Sequence, residues 1–198
     1  METIDWSNLS SSVLVEVTHR KEISLFSGVA VNPTTILTAA HCLKGEVTKI
    51  RVFIDSNYHQ NGHFIEVKSF EIHPDIENGL DLGKIKLCGE LPKETVFYPI
   101  IKKDHQLQGK IFRIGFGRRN KQNARTLLNP FFKSIIQLNK LLVLEDLYSF
   151  SGDSGGPVLL QNAGQIYLVA IHSKKTPRMK GKYSFNTLLS SHREWIVC

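Results

Sequence analysis

The segment Ser151-Gly152-Asp153-Ser154-Gly155-Gly156-Pro157 carries a hydroxyl on a glycine-walled turn, with a carboxylate immediately before it. Glycines on both sides remove the Cβ groups that would obstruct a bound chain, and they permit backbone angles that other residues avoid. In such a turn, backbone N–H groups can converge on the carbonyl that the hydroxyl attacks. Upstream, the short apolar run Ile36-Leu37-Thr38-Ala39-Ala40 ends in His41-Cys42. Between the two, Asn78-Gly79-Leu80-Asp81-Leu82-Gly83 sets an aspartate at the head of an alternating segment. A serine nucleophile, an imidazole base and a carboxylate to orient that base are what acyl transfer at neutral pH requires. Each motif alone is ordinary turn or strand-end composition. Together, in the order His, Asp, Ser, they match one of three chain orders known for this device.

The elements that must hold these residues read as short strands. Segments at Val13–Val17, Gly28–Val31, Ile36–Thr38, Val47–Ile54, Phe64–Phe70 and Leu82–Leu87 are β-branched or aromatic and punctuated by Gly, Asn and Pro. They fit one antiparallel barrel. After a loop over Leu91–Gln108, a second set runs through Ile111–Ile114, Phe132–Leu138, Leu141–Leu144, Pro157–Leu160, Ile166–Ile171 and Lys182–Phe185. The leucine- and isoleucine-rich stretch Leu127–Leu147 also suits an amphipathic helix. Near the end, Leu188, Leu189, His192, Trp195 and Ile196 share one helical face, with Asn186 or Thr187 as its cap.

Thr38-Ala39-Ala40-His41-Cys42, Asp81-Leu82-Gly83 and Gly152-Asp153-Ser154-Gly155-Gly156-Pro157 resemble the trypsin-like serine proteases of the chymotrypsin fold. Ile72-His73-Pro74, Gly115-Phe116-Gly117 and Trp195-Ile196 extend the resemblance over nearly the whole chain. It implies an all-β fold of two antiparallel Greek-key barrels, about 13–95 and 106–198, with a C-terminal α-helix, in one peptidase domain spanning 1–198. It further implies that Ser154 attacks the scissile carbonyl while His41 moves the proton. Asp81 would orient His41, and the amides of Gly152 and Ser154 would form the oxyanion hole. Asp75 is a rival orienting carboxylate, but the alternation after Asp81 is the one that resembles the family's strand. Ser173 aligns with a serine that bonds the orienting aspartate.

The same resemblance makes Tyr148 the floor of the primary pocket, where trypsin-type enzymes carry an aspartate, so cleavage after Lys or Arg is not expected. The wall Val169-Ala170-Ile171-His172-Ser173 resembles that of glutamyl endopeptidases and of viral chymotrypsin-like proteases. Ser149, His172, Ser173, Lys174, Lys175 and Lys182 would then receive Glu or Gln before the cut. Many relatives order the oxyanion loop with a freed N-terminal ammonium on the aspartate before the serine. No Ile-Val-Gly-Gly-type stretch precedes Val13, so Asp153 needs another partner: an internal Arg, Lys or His, backbone N–H groups, or a bound protein. The expectation is competence without cleavage. The alternative function is a proteolytically silent or partner-activated binding module, with Tyr148 filling the pocket and the basic surface holding the partner.

A chain of 198 residues with 41% apolar content is ample for one core, and no apolar run approaches the about 18 residues of a membrane span. Twenty-five basic against eighteen acidic residues give a net charge of +7 and a pI near 9.3. The densest clusters are Arg113, Arg118, Arg119, Lys121 and Arg125, and Lys174, Lys175, Arg178, Lys180 and Lys182. No aromatic residues interleave with them as stacking platforms, so solvated loops, or steering towards acidic polypeptides, are expected rather than nucleic-acid binding. Only Cys42, Cys88 and Cys198 are present. Ser27 and Phe150 stand where the family often has cysteines, so its usual disulfides are not expected. With no basic-then-apolar leader visible at Met1–Asn8, this suits a cytosolic protein, one delivered into a reducing compartment, or a bacterial relative of the family. The spacing offers no metal site and the chemistry needs no cofactor.

Overall fold

The computed structural model describes residues 9–102, 107–119, 121–136, 140–146, 148–175 and 183–198, the side chains of 131–136 and Lys175 excepted. Six strands, β1 (Ser12–His19), β2 (Glu22–Asn32), β3 (Thr35–Thr38), β4 (Val47–Phe53), β5 (Phe64–Ile72) and β6 (Gly83–Leu87), form a closed antiparallel barrel. The order around it is β1-β2-β3-β6-β5-β4. Alternation explains its wall. Val13, Val15 and Val17 turn one face of β1 into the barrel core with Ile36, Ile50 and Ile85. Leu14, on the opposite face, packs with Phe53 and Phe116. Glu16, beside it and buried, accepts from Arg51 Nε at 2.7 Å and from the Tyr58 hydroxyl at 2.7 Å.

The second half begins with β7 (Lys110–Gly115), then a two-stranded hairpin of β8 (Arg118–Arg119) and β9 (Gln122–Asn123). It continues with β10 (Thr126–Leu128), β11 (Phe131–Ile136), β12 (Leu141–Glu145), β13 (Pro157–Asn162), β14 (Gln165–Lys175) and β15 (Tyr183–Leu188). Seven of these make one antiparallel sheet in the order β10-β7-β13-β14-β15-β12-β11. Its two outermost strands, β10 and β11, are consecutive in the chain and separated only by Asn129 and Pro130. Three Cα steps span at most about 11 Å, so this link brings one end of β10 close to one end of β11. The segment Leu127–Leu147 is strand over Leu127–Leu128, β11 and β12, and none of its described residues is helical.

The halves share a core. Leu37 and Leu82 of the first pack with Ile114, Leu159, Ile171 and Ile196 of the second half. The chain ends in a single 3-10 turn, Ser190–His192, and a short helix, α1 (Arg193–Val197), that buries Ile196. The capping expectation is corrected here. Asn186 and Thr187 lie inside β15, because their side chains serve the sheet interior: Asn186 bonds the Leu142 carbonyl, and Thr187 the Asp81 carbonyl.

Candidate active site

A cleft of ≈ 650 Å³ is lined by His41 and Asp81 from the first half and by Ser149, Ser154, His172 and Ser173 from the second. His41 enters from a 3-10 turn, Ala40–Leu43, that directly follows β3. Asp81 sits two residues ahead of β6, which pairs with β3, so two neighbouring strands deliver both groups to one end of the barrel. The carboxylate grips the histidine twice. Oδ2 lies 2.7 Å from the ring Nδ1, and Oδ1 accepts from the His41 backbone N–H at 2.8 Å. Ser173 donates its hydroxyl to the same Oδ2. Burial pushes the Asp81 pKa up, but the His41 ring, Ser173 and the His41 amide outweigh it and hold the carboxyl below its ordinary value. Asp75 is exposed and takes no part.

Ser154 faces this pair from the loop between β12 and β13. Its hydroxyl donates to the Ser173 carbonyl at 3.3 Å, long for an O–H···O bond. Among the described residues no hydrogen bond joins it to His41. The Gly152 and Ser154 amides have no acceptor among the described residues. Both are thus available to an incoming oxygen. Gly152 and Gly155 have φ of 98° and 86°, the left-handed region that favours glycine, and a Cβ on Gly155 would collide with the Ser27 carbonyl and the Thr38 hydroxyl. Ser27, on β2, ties the loop to the first barrel. Its hydroxyl donates to the Gly152 carbonyl at 2.8 Å and accepts from the Phe116 N–H at 2.9 Å, and its N–H donates to the Ser154 carbonyl at 2.8 Å.

Asp153 is fully buried behind Ser154 and is met by arginine. Arg119 Nη2 reaches Oδ2 at 2.6 Å and Nη1 reaches Oδ1 at 3.0 Å, the bidentate fork that suits a carboxylate. The N–H groups of Gly117 and Phe150 donate at 2.7 and 2.8 Å. Arg113, wholly buried on β7, adds Nη2 at 3.4 Å and spends its Nε on Asp146 at 2.6 Å. Burial raises the Asp153 pKa, but the charge of Arg113 and the bonds from Arg119 and Phe150 more than reverse this. Gly115 and Gly117 leave the seat open, since a Cβ on either would overlap the carboxylate.

In the pocket wall, His172 is buried between two partners. Its Nδ1 is 3.0 Å from Asn186 Oδ1, and its Nε2 is 2.9 Å from the Ser149 hydroxyl. Burial and the charge of Arg113 drive its pKa down to about 3, so the ring is neutral at physiological pH. Tyr148 departs from the floor expected of it: the residue is 63% exposed and does not line the cleft. Its backbone explains this, because the carbonyl is held by Arg119 at 2.8 Å and the N–H by Asp146 at 3.1 Å. Lys174 lines the cleft, whereas Lys182 and the Lys175 side chain lie outside the described residues.

Residue typing alone does not reveal Arg113, Arg119, Asp146, Asn186 or the bridging role of Ser27. The available signals were an arginine inside the apolar run Lys110-Ile111-Phe112-Arg113-Ile114 and a serine in a cysteine's usual place. The first basic cluster also dissolves as a surface patch. Arg113 and Arg119 serve Asp153, and Arg125 donates to the Ser12 and Ile54 carbonyls at 2.8 and 3.3 Å. All three cysteines are free thiols; Cys42 is buried, and its thiol is pushed up by burial and by the charge of Asp81.

A closed barrel and a second antiparallel sheet, with a hydroxyl, an imidazole and a carboxylate in the cleft they share, define the class of chymotrypsin-fold serine proteases. A family model, Trypsin, matches residues 9–196, and the chain belongs to the trypsin family. No curated protein matches the chain significantly. It is a trypsin-like serine protease, and polypeptide is its substrate class. No described helix is long and apolar enough to cross a membrane.

Proposed function

We propose that the chain is a serine endopeptidase working through Ser154, His41 and Asp81, with Gln or Glu preferred before the cut. The observation that carries the reading is the double grip of Asp81 on His41, 2.7 Å to Nδ1 and 2.8 Å from the backbone N–H. It fixes the tautomer with the proton on Nδ1 and leaves Nε2 as the base. In this reading the Ser154 hydroxyl leaves its long bond to Ser173 for that base, a tightening common once substrate is bound.

In the reaction, His41 Nε2 takes the Ser154 proton as Oγ bonds to the carbonyl carbon. The resulting oxyanion accepts from the Gly152 and Ser154 amides, worth several kcal/mol where such donors are preorganised. His41 then protonates the leaving amine as the C–N bond breaks. Water, deprotonated by His41, releases the acid from the acyl-enzyme. Asp81 stays ionised throughout and offsets the imidazolium. The Glu/Gln preference rests on His172, Ser149 and Lys174 at the cleft wall.

Incubating the chain and a Ser154→Ala variant with a fluorophosphonate probe and a denatured-protein mixture tests the reading. Labelling and new termini confined to the parent, enriched in Gln or Glu before the cut, are expected. Equal behaviour of the two proteins rejects the triad in favour of a silent or partner-activated module. Cuts without Gln or Glu enrichment reject the specificity alone.

A further inference from the structure

We propose that Arg119 is a positioning residue that sets the Gly152 and Ser154 amides for the oxyanion and does so without any α-ammonium group. This deepens the reading of Ser154 given above and rests on it. Arg119 touches the loop at three places. Its guanidinium forks onto Asp153, its Nη2 holds the Tyr148 carbonyl at 2.8 Å, and its plane covers the Phe150 ring at 4.9 Å. Next to it, the Arg118 N–H donates to the Ser151 carbonyl at 3.1 Å. Residues 148–153 are thereby strapped to the β8–β9 hairpin.

The hairpin is itself anchored. Asn123 donates Nδ2 to the Phe116 carbonyl at 2.7 Å, and its own carbonyl accepts from the Tyr58 N–H at 2.8 Å. The strap therefore runs from the first barrel, through the hairpin, to the loop that carries Ser154.

Asp153 is saturated in this arrangement. One oxygen takes Gly117 and Arg119, and the other takes Arg119, Phe150 and Arg113. Two carboxylates, Asp146 and Asp153, meet two guanidinium groups, Arg113 and Arg119, so the buried quartet is neutral. An added cation has neither a free lone pair nor a charge to answer. Arg119 is the accessible member, its side chain 17% exposed against 0% for Arg113. It can be replaced without hollowing the core. Lysine cannot reproduce the fork, since its ammonium is a point charge on a flexible stem.

The test compares the full chain with Arg119→Lys, Arg119→Ala and an Arg118→Ala control, following kcat and KM on a peptide substrate from pH 7 to 11, with circular dichroism as a check on folding. The parent should keep its kcat into the alkaline range, because a guanidinium does not deprotonate there. Arg119→Lys should lose about tenfold in kcat with little change in KM and gain an alkaline limb near pH ~10, where its amine titrates. Arg119→Ala should lose about 10²-fold, the scale of one missing oxyanion donor, and recover in part with millimolar methylguanidinium. A parent carrying an N-terminal extension should match the unextended chain.

A folded Arg119→Ala with parental kcat overturns the proposal, as does a parent that works only after its first residues are trimmed. If Arg119→Ala does not fold, the Arg119→Lys profile decides: an unchanged alkaline plateau sinks the idea. An inert parent would instead overturn the Ser154 reading beneath it.

Discussion

Asp81, partly buried in the cleft wall, and Asp153, fully buried behind Ser154, are two carboxylates with opposite company. Asp81 is held by a backbone N–H, a hydroxyl and an imidazole. Asp153 is held by two guanidinium groups and two backbone N–H groups. On the proposed reading, the Asp81 charge answers a cation that exists only while the reaction runs. Permanent cations cancel the Asp153 charge and convert it into a fastener for the backbone. On that reading the same residue type serves timing on one wall and shape on the other.

The largest expected difference follows from the Asp81 wall. Asp81→Asn should cost about 10⁴-fold in kcat, because the amide favours the wrong His41 tautomer, with only a small shift in thermal midpoint. A large loss of stability with modest loss of rate would show that Asp81 is structural and break the contrast. On the other wall, Arg113→Met leaves Asp146 and Asp153 buried with Arg119 alone. Uncompensated buried charge costs about 3–5 kcal/mol, and urea titration should show it as a lowered midpoint. An unchanged midpoint would mean that Arg119 and the amides suffice.

His172 supplies a third difference, this time in pH dependence. Its folded pKa, about 3, lies below its ordinary value, so the unfolded chain binds a proton that the native chain refuses. Stability contributed by keeping the ring neutral is present above pH ~6.5 and declines as pH falls towards 3, by up to about 1.4 kcal/mol per unit. Asp81 and Asp153 act lower, their contribution fading as pH drops below the ordinary carboxylate range. Urea titrations at pH 7, 6 and 5 should slope downwards, and His172→Gln should flatten that slope. Parallel slopes in both proteins would assign the acid sensitivity elsewhere.

What could be read from the chain divides along the same line. The strands of the first barrel and the motifs around His41, Asp81 and Ser154 were legible because alternation and local glycine chemistry are short-range signals. The partners of Asp153 were not. Arg113 and Arg119 lie 40 and 34 positions before it, and nothing local separates an arginine bound for a buried carboxylate from one in solvent. Tyr148 failed as a pocket floor for a related reason. Counting back from the serine locates a backbone position, while Arg119 and Asp146 decide where its side chain goes. Asn186 looked like a helix cap because Asn caps helices. Its amide was needed inside the sheet.

That amide sets the smallest and most discriminating prediction. Asn186 Nδ2 donates to the Leu142 carbonyl at 3.0 Å and to the Ser184 hydroxyl at 3.2 Å, which turns Oδ1 towards His172. Nδ1 must then carry the imidazole proton, and Nε2 can only accept. An acceptor that substrate must win from the Ser149 hydroxyl, 2.9 Å away, suits the NH₂ of glutamine and repels a carboxylate, unless the ring takes up a second proton. Matched peptides with Gln or Glu before the cut should differ about tenfold in kcat/KM at pH 8, Gln ahead, a gap of about 1.4 kcal/mol. The gap should narrow at pH 5.5, where protonating the ring costs less. Asn186→Asp should move the preference towards Glu, since a carboxylate behind Nδ1 stabilises the imidazolium. If Glu peptides win at pH 8 in the parent, the charge that receives them comes from a lysine and not from His172, and the neutral-ring account of the pocket fails.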